Sequence, residues 1–456
     1  MNVKKSGSIY IKSKRRLLNG FVFWNGRTSW NSKRGLNFLL AYKVGNALGS
    51  LCNGAKILVG RDTRISGSYL TLALSSGAMS AGAEVVDVGV IPTAGVAYLT
   101  RVGSFDYGVV ISASHNSGEY NGIKIFDRFG YKLSDKEEER VERCFIHDKT
   151  NDYPYIGAYS QDLNLSKRYV DFLTKSGKDL KKLKIVLDGA NGASGRIAPA
   201  VFRSLNASVV ASCCSMDGRK INADCGSLYP QKLIGRVNRY KADVGFAFDG
   251  DADRLIAVDV KGSIIDGDMV LYILAKYLKS KGKLNGNAVV GTSHTNMAIE
   301  EALKRDGIGF LRTDIGDKYV LAKLVEKNLS LGGEQSGHVI MKNVSTTGDG
   351  ILTAIAIATL LADTGKKASE LFDVTLYPQE NRNVIVKDKL RIINNEEFAS
   401  AVSKLQNALE GKGRLMVRAS GTEPKIRIMV ESENEDVNKA YADKLQDLIT
   451  KKDGEV

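Results

Sequence analysis

The chain has 456 residues, 43% hydrophobic and 25% charged, which is the composition of an ordinary globular protein of several domains. Its formal charge of +14 favours anionic partners, but aromatics are only 7% and the basic residues are scattered, which argues against nucleic acid and for a small phosphorylated metabolite. No apolar run suits a bilayer, the basic N-terminus (Lys4, Lys5, Lys12, Lys14, Arg15, Arg16) leads into no secretory core, and five cysteines (Cys52, Cys144, Cys213, Cys214, Cys225) without a CxxC spacing argue against disulfides and against zinc, so a cytoplasmic setting is expected.

Residues 1–40 show no clear period. From there the spacing predicts a helix over Ala41–Leu48, a strand over Lys56–Gly60 and an Arg61–Gly67 loop. A helix over Tyr69–Ala81, a strand over Glu84–Val88, a helix over Thr93–Thr100 and an apolar strand over Tyr107–Ile111 follow. This alternation predicts a doubly wound domain over residues 1–150. The rhythm repeats over 151–255, with a helix at Tyr169–Leu180, a strand at Lys184–Asp188 running into Gly189–Ser194, and strands at Ser208–Ala211 and Asp243–Phe248. A third unit, 256–370, is opened by the strand Leu255–Val260. It holds helices at Asp268–Lys279, Asn296–Lys304 and Ile351–Leu361, with strands at Ala288–Gly291 and near Gly309–Leu311. A fourth, 371–456, carries strands at Asn383–Val386, Arg414–Arg418 and Lys425–Glu431 and helices at Asn395–Leu409 and Glu435–Thr450. The expected fold is α/β: three similar α/β mixed-sheet domains plus a smaller α+β C-terminal domain.

Four polar loops interrupt this pattern. The strand Tyr107–Ile111 runs into Ser112-Ala-Ser-His-Asn-Ser-Gly118, a strand-end loop where a serine beside a histidine can serve as nucleophile or phosphate carrier. Asp249-Gly-Asp-Ala-Asp-Arg254 places three carboxylates at alternate positions; such clustering repels itself unless a hard cation with oxygen ligands, Mg²⁺ ahead of Ca²⁺, holds it. Gly332-Gly-Glu-Gln-Ser-Gly-His338 sets Glu334, Ser336 and His338 on one side, a carboxylate and hydroxyl suited to sugar hydroxyls. In Arg418-Ala-Ser-Gly-Thr-Glu-Pro-Lys-Ile-Arg427, two arginines flank a turn whose amides and hydroxyls can cradle an anion.

Together these loops suit phosphoryl transfer on a sugar phosphate. On Ser112–Asn116, Asp249–Arg254, Gly333–His338 and Arg418–Pro424, in that order, the chain resembles the α-D-phosphohexomutase family over roughly residues 41–450. The resemblance implies that Ser114 is a phosphoserine and that one Mg²⁺ per chain is held by Asp249, Asp251, Asp253 and a phosphoserine oxygen on Ser114. It implies that Arg418, Ser420, Gly421, Thr422 and Arg427 grip the unreacting phosphate, and that Glu334 and Ser336 hold the sugar hydroxyls. Lys124 and His338 are its candidate bases, and Arg254 contacts the transferring group. His115 shapes the loop, and Arg61 and Arg64 either steady the phosphoserine or are structural. A sugar 1,6-bisphosphate is the implied intermediate and activator. Gln335 within Gly333–His338, with Thr346–Gly350 and Gly316–Val320, resembles the branch that interconverts glucosamine 6-phosphate and glucosamine 1-phosphate. The alternatives are the mannose- and glucose-phosphate branch, or an inactive sugar-phosphate-binding relative. The implied partner is a small hexose phosphate, with no nucleic acid and no membrane, for a monomer or homodimer.

Two departures stand out. Ser117 replaces the proline usual after the Ser-His-Asn element. Near the N-terminus, Phe23-Trp-Asn-Gly-Arg-Thr-Ser-Trp30 stands where the family has a Phe-Gly-Thr-x-Gly-Ile-Arg-Gly-like loop. Codons for Phe23–Gly26 read one base later can encode Phe-Gly-Thr, so a shifted reading frame over about residues 20–40 is expected. Resequencing checks this, and an unambiguous in-frame read overturns it.

Overall fold

The computed structural model describes residues 28–31, 36–52, 54–146, 155–420 and 424–454. They fall into two compact units: Met1–His294 with Ile308–Phe372, and Thr295–Gly307 with Asp373–Val456.

The first unit is built on three mixed sheets. The first contains β1 (Thr28–Asn31), β2 (Lys56–Arg61), β3 (Glu84–Val90), β4 (Tyr107–Ile111), β5 (Tyr120–Asp127) and β6 (Tyr159–Gln161), ordered β1-β5-β4-β2-β3-β6. β2 runs parallel to β3 and β4, whereas β5 returns antiparallel to β4. β4 is a central strand, and its apolar run Gly108–Ile111 is buried as a strand without a solvent face requires. The second sheet contains β7 (Lys184–Asp188), β8 (Ser208–Ser212), β9 (Val244–Phe248), β10 (Leu255–Asp259) and β11 (Ile264–Ile265), ordered β11-β10-β9-β7-β8. The third contains β12 (Ala288–Thr292), β13 (Gly309–Thr313), β14 (Leu331–Gly333) and β15 (Val339–Met341), ordered β13-β12-β14-β15.

The helix Gly350–Thr364 is apolar around nearly its whole circumference, and most of it is buried. Asp349 caps it, taking the Leu352 amide at 2.9 Å, and Gly365 ends it in the left-handed region at φ 64°. The Tyr169 hydroxyl donates to Asp349 Oδ2 at 2.9 Å, tying the helix Leu165–Ser176 to this cap.

Several sequence expectations are corrected. The strand Leu255–Asp259, expected to open the third unit, pairs antiparallel with β9 in the second sheet. The acidic loop is therefore a hairpin connection, not a crossover: Phe248 and Leu255 are paired directly across its base. The helix expected over Tyr169–Leu180 runs over Leu165–Ser176, ending where Gly177 interrupts it. Helices at Asp135–Ile146, Gln231–Tyr240 and Asp317–Glu326 were not predicted. The suspected frame disturbance falls mostly outside the described residues; within it, Thr28–Asn31 pairs antiparallel with β5.

The second unit is α+β. Strands β16 (Gln379–Ile385), β17 (Gly413–Ala419) and β18 (Lys425–Ser432) form an antiparallel sheet ordered β16-β18-β17. Helices Glu396–Leu409 and Glu435–Gly454 bury Phe398, Leu405 and Leu445 against Leu415, Ile428 and Val430 of that sheet. The helix Met297–Arg305 joins this unit; the Met297 amide donates to Glu431 Oε1 at 2.9 Å.

Candidate active site

The serine loop leaves β4 at the strand's C-terminal end, where parallel α/β sheets expose their chemistry. Its backbone is fixed from below by Arg64, whose guanidinium donates to the carbonyls of Ser114 (3.0 Å), Asn116 (2.7 Å), Tyr120 (2.7 Å) and Ser117. Arg64 is in turn held by Asp62, whose Oδ2 also accepts the Ser112 hydroxyl at 2.6 Å. Burial pushes the Asp62 carboxyl above its usual range, although Arg64 beside it pulls the other way. Ser112 Oγ accepts the Ser114 amide at 2.9 Å. From the second sheet, Asn222 donates to the carbonyls of Ser114 and Asn116, both at 2.8 Å. Ser114 itself adopts a left-handed φ of 54°, uncommon outside glycine, and these partners hold it there. Arg64 is thus a structural organiser, and Arg61 is engaged by Asp87 at 2.9 and 3.0 Å.

Close backbone contact brings the serine loop and the second sheet together. A Cβ at Gly250 would stand 2.6 Å from the Ser114 carbonyl oxygen, and one at Gly218 would stand 1.9 Å from that of Thr63. Only glycine permits both approaches. They place the Ser114 hydroxyl against the acidic hairpin, where it donates to Asp249 Oδ2 at 2.5 Å.

Asp249, Asp251 and Asp253 are fully buried, with one oxygen of each within 4.8 Å of the others. Burial first, then the charges of Asp253 and Asp251, push the Asp249 carboxyl well above its usual range. Asp251 is held low instead, because Lys124 and Thr93 outweigh its burial. The Lys124 amine lies on Asp251 Oδ2 and 3.0 Å from Asp253 Oδ2. Thr93 donates its hydroxyl to Asp251 Oδ2 and its amide to the Asp251 carbonyl at 3.0 Å. Asp251 Oδ1 is buried and meets no hydrogen-bond donor. An all-oxygen set with a buried oxygen to spare fits a small hard divalent cation such as Mg²⁺.

The hairpin joining β14 and β15 brings up the third motif. His338 is buried, with Nδ1 3.7 Å from Asp253 Oδ1 and Nε2 3.6 Å from Asp317 Oδ2. The Gly348 amide donates to Nε2 at 3.2 Å. Glu334 Oε1 accepts the Gly316 amide at 2.8 Å, and the buried hydroxyl of Ser336 meets no protein partner, which suits it to a ligand hydroxyl. Arg254 follows the acidic loop: its amide donates to Asp249 Oδ1 at 3.2 Å, and its Nε lies 3.9 Å from Asp253 Oδ1. The first unit therefore gathers Ser114, the three aspartates, Lys124, His338 and Arg254 around one acidic core. Asn222 and Thr93 were missed as positioning residues, since each is a solitary polar residue far along the chain from what it holds.

In the second unit, Arg418 and Arg427 are directly paired across β17 and β18, so both side chains leave one face of the sheet. Ser420 is buried, with its amide on the Lys425 carbonyl at 2.9 Å and its carbonyl taking the Lys389 amine at 2.6 Å. Gly421 and Thr422 lie outside the described residues.

This fold is that of a hexose-phosphate mutase. Models of the phosphoglucomutase/phosphomannomutase family match all four parts: α/β/α domain I over residues 26–152, domain II over 167–262, domain III over 266–377 and the C-terminal domain over 382–448. The chain is 48% identical to a phosphoglucosamine mutase of Caldanaerobacter subterraneus subsp. tengcongensis, over 91% of this chain and 95% of that one. It is 45% identical to a phosphoglucosamine mutase of Thermoanaerobacter pseudethanolicus over the same shares. The chain belongs to the phosphohexomutase family, as its four motifs led one to expect, and to its phosphoglucosamine mutase branch, as Gln335, Thr346–Gly350 and Gly316–Val320 did. Among solved structures, a phosphoglucomutase/phosphomannomutase family protein from Burkholderia thailandensis shares the fold with a TM-score of 0.78 at 24% identity, over 93% of this chain and 96% of that one.

Proposed function

We propose that the chain interconverts glucosamine 6-phosphate and glucosamine 1-phosphate, with Ser114 as its phosphoryl carrier. One observation carries the assignment of the serine: its hydroxyl sits 2.5 Å from Asp249 within a buried triad of carboxylates. A phosphoryl group there cannot be borne beside those charges without a cation. Asp249, Asp251 and Asp253 would hold Mg²⁺, which when bound neutralises charge on the transferring group.

The chain's own residues account for the rest. The phosphoserine P–O bond breaks as a sugar hydroxyl oxygen bonds to phosphorus, and the hydroxyl proton leaves to a base. Lys124 and His338 are the basic side chains at the triad and are assigned this proton transfer. Arg254, anchored at the same hairpin, contacts the transferring group. The sugar 1,6-bisphosphate then turns and returns its other phosphoryl group to Ser114; added bisphosphate is the activator that restores the phosphoserine. Glu334 and Ser336 hold the hydroxyls common to both orientations. Arg418, Ser420, Gly421, Thr422 and Arg427 grip the phosphate that does not react, because two guanidinium groups on one strand pair suit an anion.

We assign the phosphoserine loop to the expected domain 1–150, the metal to 151–255 extended through the strand Leu255–Asp259, the sugar to the remainder up to 370 and the phosphate to 371–456. Among the described residues no helix is long and apolar enough to cross a membrane. We place the chain in the cytoplasm as a monomer or homodimer.

A coupled assay on glucosamine, glucose and mannose phosphates tests the substrate. Turnover greatest on the glucosamine phosphates is expected; preference for glucose or mannose phosphates, or no turnover by a folded chain, overturns the reading. Ser114→Ala should abolish labelling of the protein by sugar bisphosphate, and retained labelling excludes Ser114 as carrier.

A further inference from the structure

Away from the acidic hairpin, the second sheet assembles another cluster of ligand atoms. Asp188 ends β7, Cys213 follows the parallel neighbour β8, and Cys225 lies in the loop beyond it. The two sulfurs and a carboxylate oxygen of Asp188 lie within 4.8 Å of one another. The spacing in sequence hides this, since no CxxC pair is involved and the third ligand is an aspartate. The cysteines were therefore expected to carry no zinc.

Three observations make this a built site. Asp188 is completely buried; its Oδ1 accepts the Ala190 amide at 2.9 Å, while its Oδ2 is buried with no hydrogen-bond donor. Each sulfur already receives a polar hydrogen, as a metal-bound thiolate would: Asn191 Nδ2 donates to Cys225 at 3.7 Å and the Ser212 hydroxyl to Cys213 at 3.6 Å. Cys225 is buried and Cys213 half-buried, which leaves an entry from solvent. Cys214 is excluded, since its sulfur is engaged by the Ser212 carbonyl at 3.0 Å.

We propose that Asp188, Cys213 and Cys225 form a second cation site, for a thiophilic divalent ion of the zinc class. Two thiolates with one carboxylate select zinc over Mg²⁺, and three protein ligands leave a fourth position for water. Binding releases the protons of the ligating groups. The ion ties the ends of β7 and β8 to the loop of Cys225. That loop also carries Asn222, which holds the Ser114 and Asn116 carbonyls. The site thus anchors, from behind, one of the two clamps on the serine loop.

The test uses the full chain, reduced, with saturating Mg²⁺ to occupy the all-oxygen triad. Titration with Co²⁺ should give a thiolate-to-cobalt charge-transfer band that saturates at one equivalent and is bleached by Zn²⁺. Cys213→Ser and Cys225→Ser should each abolish the band, Asp188→Asn should weaken Co²⁺ binding about tenfold or more, and Cys214→Ser should leave it unchanged. No band, or a band that survives both cysteine variants, overturns the proposal. Should the variants misfold, alkylation of the wild-type chain decides: one equivalent of Zn²⁺ should protect Cys213 and Cys225 alone. Unchanged alkylation overturns the site, as does a Cys213–Cys225 disulfide formed in its place and seen as a loss of two hydrogens in mass.

Discussion

The serine loop of the first unit and the arginine hairpin of the second are both assigned to phosphate, but they are built in opposite ways. Around Ser114 the backbone and side chains are buried and cross-linked to other parts of the chain, Arg64 to four carbonyls, Ser114 to Asp249, Asp251 to Thr93 and Lys124, with Asp251 Oδ1 left over for a ligand. In the second unit Arg418 is exposed and Arg427 half-buried, facing one another across two strands at a fixed register. Transfer of a charged group needs low dielectric and fixed dipoles, so that site is dry and over-determined. A grip that must accept a phosphate in two orientations needs charge and access. The first region should therefore respond to substitution through kcat and stability, and the second through KM and salt.

The largest effect is expected at the triad. Asp249→Asn should lower kcat by on the order of 10³-fold or more, because it acts on the transferring group rather than on binding. The same change removes a carboxyl whose charged form is disfavoured by burial and by its two neighbours, so the metal-free variant should melt no lower than the parent. Calorimetry without Mg²⁺ alongside single-turnover kinetics checks both halves; a large loss of stability would move Asp249 from chemistry to scaffold.

Arg64→Ala comes next. It removes a donor from four loop carbonyls and leaves the buried Asp62 carboxylate without its ion-pair partner, and should cost about 3–5 kcal/mol of stability by denaturant unfolding. Arg64→Lys should recover only part of this, since an ammonium cannot reproduce the guanidinium fork.

A smaller effect distinguishes the first region by pH. Burial raises the Asp349 carboxyl from 3.8 to about 6. The folded chain therefore holds this proton more tightly than the unfolded chain. Its contribution to stability is complete below about pH 4 and is lost as pH rises through about 6, by at most about 3 kcal/mol. Asp349→Asn keeps the helix cap and should flatten that slope, as unfolding at pH 4.5 and pH 7 will show; an unchanged slope refutes the assignment to Asp349.

The smallest effect belongs to the hairpin. Arg427→Ala should raise KM by roughly ten- to hundredfold, with little change in kcat or melting temperature. The parent's KM should also climb with ionic strength, as expected for charges near the surface. A kcat effect exceeding the KM effect would put Arg427 in the chemistry and erase the contrast between the two regions.

The sequence disclosed this contrast only in part. Its four motifs were legible because each packs several functional groups into a few residues beside a strand, and because serine, aspartate triplet and arginine pair imply chemistry by type. The sheet rhythm was legible from apolar runs such as Tyr107–Ile111. What holds the site together was not. Asn222 meets Ser114 across 108 residues and Thr93 meets Asp251 across 158, distances at which a lone polar residue gives no local signal. The acidic loop looked like the end of a domain, because sequence spacing does not separate a hairpin reversal from a crossover when both are short and polar. The Asp188–Cys213–Cys225 cluster was invisible for the same reason, its members drawn from the ends of two parallel strands and a loop.

The glycine contacts between the serine loop and the second sheet carry a consequence for motion. Gly250 rests on the Ser114 carbonyl and Gly218 on that of Thr63, with no side chain between the backbones. Surfaces joined this way cannot slide by repacking rotamers, because there are none to repack. Ser114 and the acidic hairpin are therefore expected to move as one piece. On the proposed mechanism, the turn of the bisphosphate would therefore be a motion of the sugar against a fixed pairing of serine loop and acidic hairpin.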